Sequence, residues 1–165
     1  TFLLGPATVA LAVPLYRQIH LLRNMAGPLL ITVTVGAIFA SASALIIAWL
    51  FGANHSTLLS LTTKSITTPI AITVTQDIGG VTTIAVASVI LTGVVGITTV
   101  TWLFEKLGIQ DDRLWGFCLG LSAHAIGTSR AFERSPVAGA FSSLALCLTG
   151  TFTAIFVPFA ARWFM

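Results

Sequence analysis

Apolar residues fall along the chain in long blocks parted by short polar breaks, and the blocks have the length of membrane helices. They mark candidate spans at 2–16, 26–51, 58–78, 81–104, 114–129 and 137–161. The first, interrupted by Gly5-Pro6 and Pro14 and closed by Arg17, His20 and Arg23, falls short of the roughly 20 residues that cross a bilayer. Further apolar sequence ahead of Thr1 is therefore expected. The blocks 26–51, 81–104 and 137–161 are more uniform and carry small residues at every fourth position: Gly36, Ala40, Ala44 and Ala48; Ser88, Thr92 and Gly96; Gly139, Ser143, Cys147 and Thr151. Rows of this kind let a neighbouring helix approach closely.

Two blocks depart from the pattern. Lys64-Ser65-Ile66-Thr67-Thr68-Pro69 and the later Asp77-Ile78-Gly79-Gly80 set a lysine, hydroxyls, a proline and an aspartate inside 58–78. His124-Ala125-Ile126-Gly127-Thr128-Ser129-Arg130-Ala131-Phe132-Glu133 does the same around the end of 114–129. Both read as interrupted helices, and they align weakly with each other. A basic residue leads each (Lys64, His124), followed in register by Ile66 and Ile126, Thr68 and Thr128, Ala71 and Ala131. Further on, Leu91-Thr92-Gly93 answers Leu148-Thr149-Gly150. The order of parts is also shared: an interrupted segment, a polar turn, a full span. Transporters are often built from such repeats, with the substrate site at the interrupted helices. Each interrupted segment is expected to cross the membrane. Crossing sets Arg130 to Arg134 on the side of the 17–25 loop, expected to be cytoplasmic, and the acidic 105–113 loop on the other, as the positive-inside tendency prefers.

Composition turns the pattern into a class. Hydrophobic residues make up 56% of the 165, charged ones 8%, and mean hydropathy is +0.98, whereas soluble domains carry about a quarter charged residues. The fold class expected is an all-α membrane protein: one integral domain over 1–165, a polytopic helical bundle with two interrupted helices and a weak internal repeat. The net charge of +3 comes from few residues placed mainly at span ends, a mark of membrane topology with nothing to suggest nucleic acid. Tyr16, Trp49, Trp102, Trp115 and Trp163 all fall near proposed span ends, where amphipathic rings favour the headgroup region. Cys118 and Cys147 lie in apolar segments without metal-ligand spacing and read as packing residues.

Candidate chemistry sits in the two polar stretches. A lysine at mid-bilayer costs roughly 2.5–3.5 kcal/mol, so Lys64 needs a partner, a wet cavity or a bound anion. Pro69 removes a backbone donor and is expected to kink the helix, freeing groups that, with Thr67 and Thr68, suit a small carboxylate. In the second stretch Gly127 permits close approach, Thr128 and Ser129 offer hydroxyls, and Arg130 offers a fork that fits a carboxylate. His124 can change charge near neutral pH. The plainer alternatives are a packing kink at Pro69, a buried hydrogen-bonded His124, and an Arg130 paired with Glu133 three positions on. Asp77, His124 and Glu133 are the candidates for proton or ion coupling. No nucleophile with an acid–base partner, phosphate loop or paired-histidine metal motif occurs, so neither catalysis, a metal nor a cofactor is expected.

Four motifs, Leu4-Gly5-Pro6-Ala7-Thr8-Val9-Ala10-Leu11-Ala12-Val13-Pro14-Leu15-Tyr16-Arg17-Gln18, Lys64 to Ala71, Ala123 to Ala131, and Gly139-Ala140-Phe141-Ser142-Ser143-Leu144-Ala145, together resemble the LrgB/CidB family of bacterial membrane proteins. The resemblance covers essentially the whole chain. It implies a place in the bacterial inner membrane and work alongside a smaller LrgA/CidA-type subunit. It also implies one of two roles: antiholin-like modulation of murein hydrolase export and autolysis, or translocation of small monocarboxylates, as in a plastid glycolate/glycerate translocator that resembles this family. A secondary transporter of small monocarboxylates (the pyruvate, glycolate and glycerate class), coupled to a cation gradient and assembled as a homo-oligomer, is the leading expectation. A holin-like or antiholin-like membrane protein is the alternative.

Overall fold

The computed structural model describes residues 26–161 together with Tyr16. The expected span 2–16, Tyr16 aside, and the basic loop 17–25 lie outside the described residues. Among those described there are six helices and no strand: α1 (Ala26–Leu50), α2 (His55–Leu61), α3 (Thr68–Asp77), α4 (Thr82–Leu107), α5 (Asp112–Arg134) and α6 (Pro136–Ala161). Helices α1, α4 and α6, of 25, 26 and 26 residues, are each about 38 Å long, enough for the ~30 Å hydrocarbon core. Their outer faces show Phe39, Ile47, Val95, Ile155 and Phe159. The chain is an all-helical membrane protein.

The block 58–78 does not cross as one span. Asn54 caps α2, its side chain accepting from the Thr57 amide at 2.9 Å, and after only seven residues the helix stops at consecutive threonines. Their hydroxyls turn back on the carbonyls behind them, Thr62 donating to Leu59 at 2.6 Å and Thr63 to Ser60 at 3.0 Å, bonds that compete with helix continuation. The chain then extends at Thr67 (φ −67°, ψ 145°) and α3 begins, with Pro69 in its first turn. Pro69 therefore starts a helix and does not kink one: the amide it lacks is among those a first turn leaves unbonded anyway. The two legs lie side by side and antiparallel. Thr63 and Thr75 share a hydroxyl hydrogen bond of 2.9 Å, and Ser60 Oγ accepts from the Val81 amide at 2.7 Å. At about 10 and 15 Å, neither leg is long enough to cross.

The block 114–129 behaves in the same way. Helix α5 breaks at His124 (φ 42°, ψ −129°), giving legs 112–123 and 125–134 that fold back on each other. Gly127 lies so close to its opposite leg that an added Cβ would come within 2.6 Å of the Leu119 carbonyl. At the open end Arg134 donates to Asp112 at 2.7 Å and Ser135 to the other oxygen of that carboxylate at 2.6 Å. The expected crossing of the interrupted segments is thus corrected to two helical hairpins. With it goes the expected separation of charges: Arg134 and the 105–113 loop stand at the same end, joined by a bond from Arg134 to the Gln110 carbonyl at 3.3 Å.

Helices α4 and α6 act as rulers that show where each hairpin lies. Along α4, the Val81 cap touches the base of the first hairpin at Ser60, and Val89 packs on Ile66 and Ala71 near its tip. Gly93 then meets His124 and Ile126, Gly96 meets Ala123, and Val100 and Phe104 cluster with Trp115 and Leu119 near the base of the second hairpin. Helix α6 gives the reverse order. Gly116 and Gly120 of the second hairpin press on Ala138 and Ser142, Gly150 faces Ile70, and Val157 and Ala161 cluster with Leu59, Val74 and Ile78. The hairpins therefore enter from opposite ends and their tips meet at mid-depth. Hairpin plus following span, α2–α3 with α4 and α5 with α6, forms an inverted pair.

The small-residue row on α6 holds only in part. Gly139 and Ser143 are buried, while Cys147 and Thr151 are exposed, because steps of four advance about 40° beyond a full turn and carry the row off the contact face. Burial instead continues through Leu146, Thr149, Gly150, Thr153 and Val157. Trp49 and Trp102 are exposed as expected of interfacial rings, but Trp115 is 3% exposed and packs inside under Arg134.

In a background with Cys118 and Cys147 replaced by alanine, Thr63→Cys with Thr75→Cys is expected to crosslink readily on mild oxidation, observed as fragments that stay joined after cleavage between the legs until reduced. A single straight helix would hold these positions about 18 Å apart and give no crosslink.

Candidate functional site

The candidate site lies where the tips meet. Lys64 stands in the turn of the first hairpin, half-buried, its Nζ donating to Ser65 Oγ at 3.2 Å. All five carboxylates of the chain lie elsewhere: Asp77 at the end of α3 by the first hairpin's base, and Glu105, Asp111, Asp112 and Glu133 at the opposite end of the bundle. Among the described residues the ammonium therefore has no counter-charge. Beside it, Thr67 occupies the cap position of α3 without using its hydroxyl as a cap, and Thr68 and Pro69 form the first turn. The free amides of that turn add partial positive charge at the tip.

His124 forms the tip of the second hairpin. It is 1% exposed, and Nε2 of its ring has no hydrogen-bond partner. The ring lies against Gly93, where an added Cβ would fall 3.2 Å from Cε1, and it faces the main-chain carbonyl of Val89. Lys64 is near enough for the two charges to interact. His124 also holds backbone angles that L side chains rarely adopt, a form of strain costing of order 1–3 kcal/mol that persists only where its surroundings enforce it. Thr128 donates to the His124 carbonyl at 2.8 Å and shares a 2.9 Å hydroxyl bond with Ser142 of α6, fixing the tip to its neighbour.

The candidate residues from the sequence thus divide. Lys64, Thr67, Thr68, Pro69 and His124 come together. Gly127 and Thr128 support the second tip without lining it. Ser129 is exposed and bonds back to Ala125 at 3.2 Å, and Arg130 is exposed and paired with Glu133 at 2.5 Å. Arg130 and Glu133 lie on the second leg turned outward, and Asp77 is exposed at the far end of α3, so none of the three reaches the tips. The Val89 carbonyl, Gly93 and Ser65 join the site without having been singled out as site residues. Gly93 was visible only through the repeat, as the glycine answering Gly150. A separate cavity of about 410 Å³ opens at the base of the second hairpin, lined by Thr101, Phe104, Glu105, Gln110, Trp115 and Arg134. Among the described residues no cluster of His, Cys, Asp or Glu could hold a metal.

Comparison with known proteins gives this arrangement a family. The sequence matches the LrgB-like family over residues 1–163. The chain belongs to it. Relatives of this LrgB-like chain include the uncharacterized protein YxaC of Bacillus subtilis, 40% identical over 156 residues, 94% of this chain and 68% of that protein. YwbG of the same organism is 37% identical over 159 residues, 96% of this chain and 71% of that one. The antiholin-like protein LrgB of Bacillus mycoides is 28% identical over 158 residues, 96% of this chain and 69% of that protein. No solved structure matches.

At the base of the LrgB-like second hairpin, bonds from Ser135 and then from Arg134 hold the Asp112 carboxyl below the usual carboxylate range. A lowered value means the closure stabilises the fold above the ordinary range, near 3.9, and is lost as pH falls through the lowered value. Asp112→Asn is accordingly expected to lower the thermal midpoint modestly at neutral pH, by a difference that vanishes in strong acid, as read by thermal unfolding in detergent across a pH series.

Proposed function

We propose that the chain is a secondary carrier of small monocarboxylates, coupled to a cation gradient and working in the bacterial cytoplasmic membrane with an LrgA/CidA-type subunit and as a homo-oligomer. The observation that carries the proposal is the meeting of two oppositely inserted hairpins at mid-depth, with an uncompensated lysine on one tip and a buried histidine bearing a free nitrogen on the other. Paired hairpins of this kind leave a site that can be uncovered from either end by small movements of one tip, which is what alternating access requires. The chemistry at the tips suits one small organic anion: an ammonium, unused helix amides and hydroxyls, with no carboxylate nearby.

A second reading rests on the antiholin-like name carried by LrgB-like relatives. It makes the chain a membrane regulator of murein hydrolase export and autolysis, acting through helix contacts with its partner. The two readings separate in proteoliposomes. The carrier gives saturable uptake of labelled pyruvate or glycolate with unrelated dyes retained, and the regulator gives no saturable flux.

Lys64→Ala is expected to lower pyruvate uptake by tenfold or more, since losing a buried charged partner costs about 2–5 kcal/mol and each 1.4 kcal/mol is a factor of ten. Arg130→Ala, altering an outward ion pair, should leave uptake within about twofold. Saturable uptake indifferent to Lys64→Ala would remove the tips as its site.

A further inference from the structure

Resting on the carrier reading, we infer that the site between the tips takes a proton together with each anion, Lys64 supplying a standing positive charge and His124 accepting the proton. The coupling ion is then the proton, and a monoanion crosses as a net neutral cargo.

The argument starts from what surrounds the imidazole. Helix α4 presents the Val89 carbonyl and Gly93 to it, and the charged groups of that helix, Glu105 and Lys106, lie in its last turns. Helix α6 approaches through the Ser142 hydroxyl bonded to Thr128 and carries no charged residue between Pro136 and Ala161. Helix α1 carries none either. Within α5 the remaining charges, Asp112, Arg113, Arg130, Glu133 and Arg134, lie toward the open end of the hairpin. The first hairpin contributes Lys64, while its Asp77 and His55 stand at its base. Among the described residues, Lys64 is thus the one charged group near enough to His124 to act on it.

Two positive charges brought together in a medium of low dielectric repel each other. With the site empty, a proton on His124 meets that repulsion and no compensating carboxylate. An anion held between the tips changes the sign of the local field for both. Anion and proton therefore bind cooperatively, and by reciprocity each raises the affinity for the other to the same degree. Nε2, lacking any partner and almost wholly buried, is the atom that takes the proton and donates it in a hydrogen bond to the anion. On release the imidazole returns the proton to the side that receives the anion. The repeat adds an independent support, because Lys64 and His124 occupy matching positions of the inverted units: one end of the anion meets a fixed charge and the other a charge that can be removed.

The test is pyruvate binding to the intact protein in lipid nanodiscs, by titration calorimetry in buffers of different ionisation enthalpy at several values between about pH 5 and 8, the range in which imidazoles titrate. Wild type is expected to take up as much as one proton per pyruvate, with affinity falling by up to about tenfold per unit rise in pH above the titration of the site. His124→Asn, and His124→Gly, which relieves the strained backbone and so guards against a folding failure, should bind pyruvate more weakly, through Lys64 alone, with no proton uptake and a flat pH profile. Saturable binding by wild type without proton uptake at any pH, or uptake that survives in both variants, overturns the inference and leaves the carrier standing. Absence of any saturable binding overturns both.

Discussion

Broken helices within a bilayer need protein on every side, because an amide or carbonyl left open to hydrocarbon costs several kcal/mol. This constraint explains why the hairpins of the LrgB-like chain are flanked by small residues. Gly116 and Gly120 bring the second hairpin into backbone contact with α6 at Ala138 and Ser142, so close that even a methyl group would collide with a main-chain carbonyl. Gly80 allows a close approach of another kind at the first hairpin, where an added Cβ would meet the Thr75 methyl at 2.7 Å and Ser60 Oγ at 3.0 Å. Hydroxyls complete the cover. The Thr63–Thr75 and Thr128–Ser142 pairs are both buried and both 2.9 Å, and each ties one leg of a hairpin to the chain beside it. The polar residues of these segments thus divide between two tasks, closing the broken backbone and lining the tips.

The membrane class, the three full spans and the two polar interruptions were legible in the sequence because each rests on composition and length over many residues. Even the repeat showed through, though not its inversion: Lys64 and His124, aligned on three shared residues, are the two tip residues. The reversal of direction was not legible. A hairpin and a kinked span differ by the backbone angles of a few residues, and the positive-inside tendency favoured crossing because Arg130 and Arg134 resemble a loop cluster. Their actual roles are local. Arg134 clamps the hairpin base across Asp112 and Trp115, and Arg130 pairs with Glu133 on the same helix face. Pro69 was similarly ambiguous, since a proline marks a kink or a helix start with equal force and only the preceding turn decides between them.

A carrier and an antiholin-like regulator make demands on different surfaces. A regulator works through the outer faces of α1, α4 and α6, which are apolar and need only pack against lipid or another helix. Nothing on those faces requires a lysine at mid-depth, at roughly 2.5–3.5 kcal/mol, or a histidine forced into a glycine-like conformation at a further 1–3 kcal/mol. Glycine at position 124 would remove the second cost outright, and a leucine in place of Lys64 would remove the first. A fold that keeps both, on the tips of opposed hairpins near enough for their charges to interact, fits the proposed carrier better than a regulator that works through its outer faces alone. Under the proposed carrier reading the outer faces stay available to a partner subunit, and an effect on murein hydrolases would then follow from the solute carried, without a regulatory design in the tips themselves.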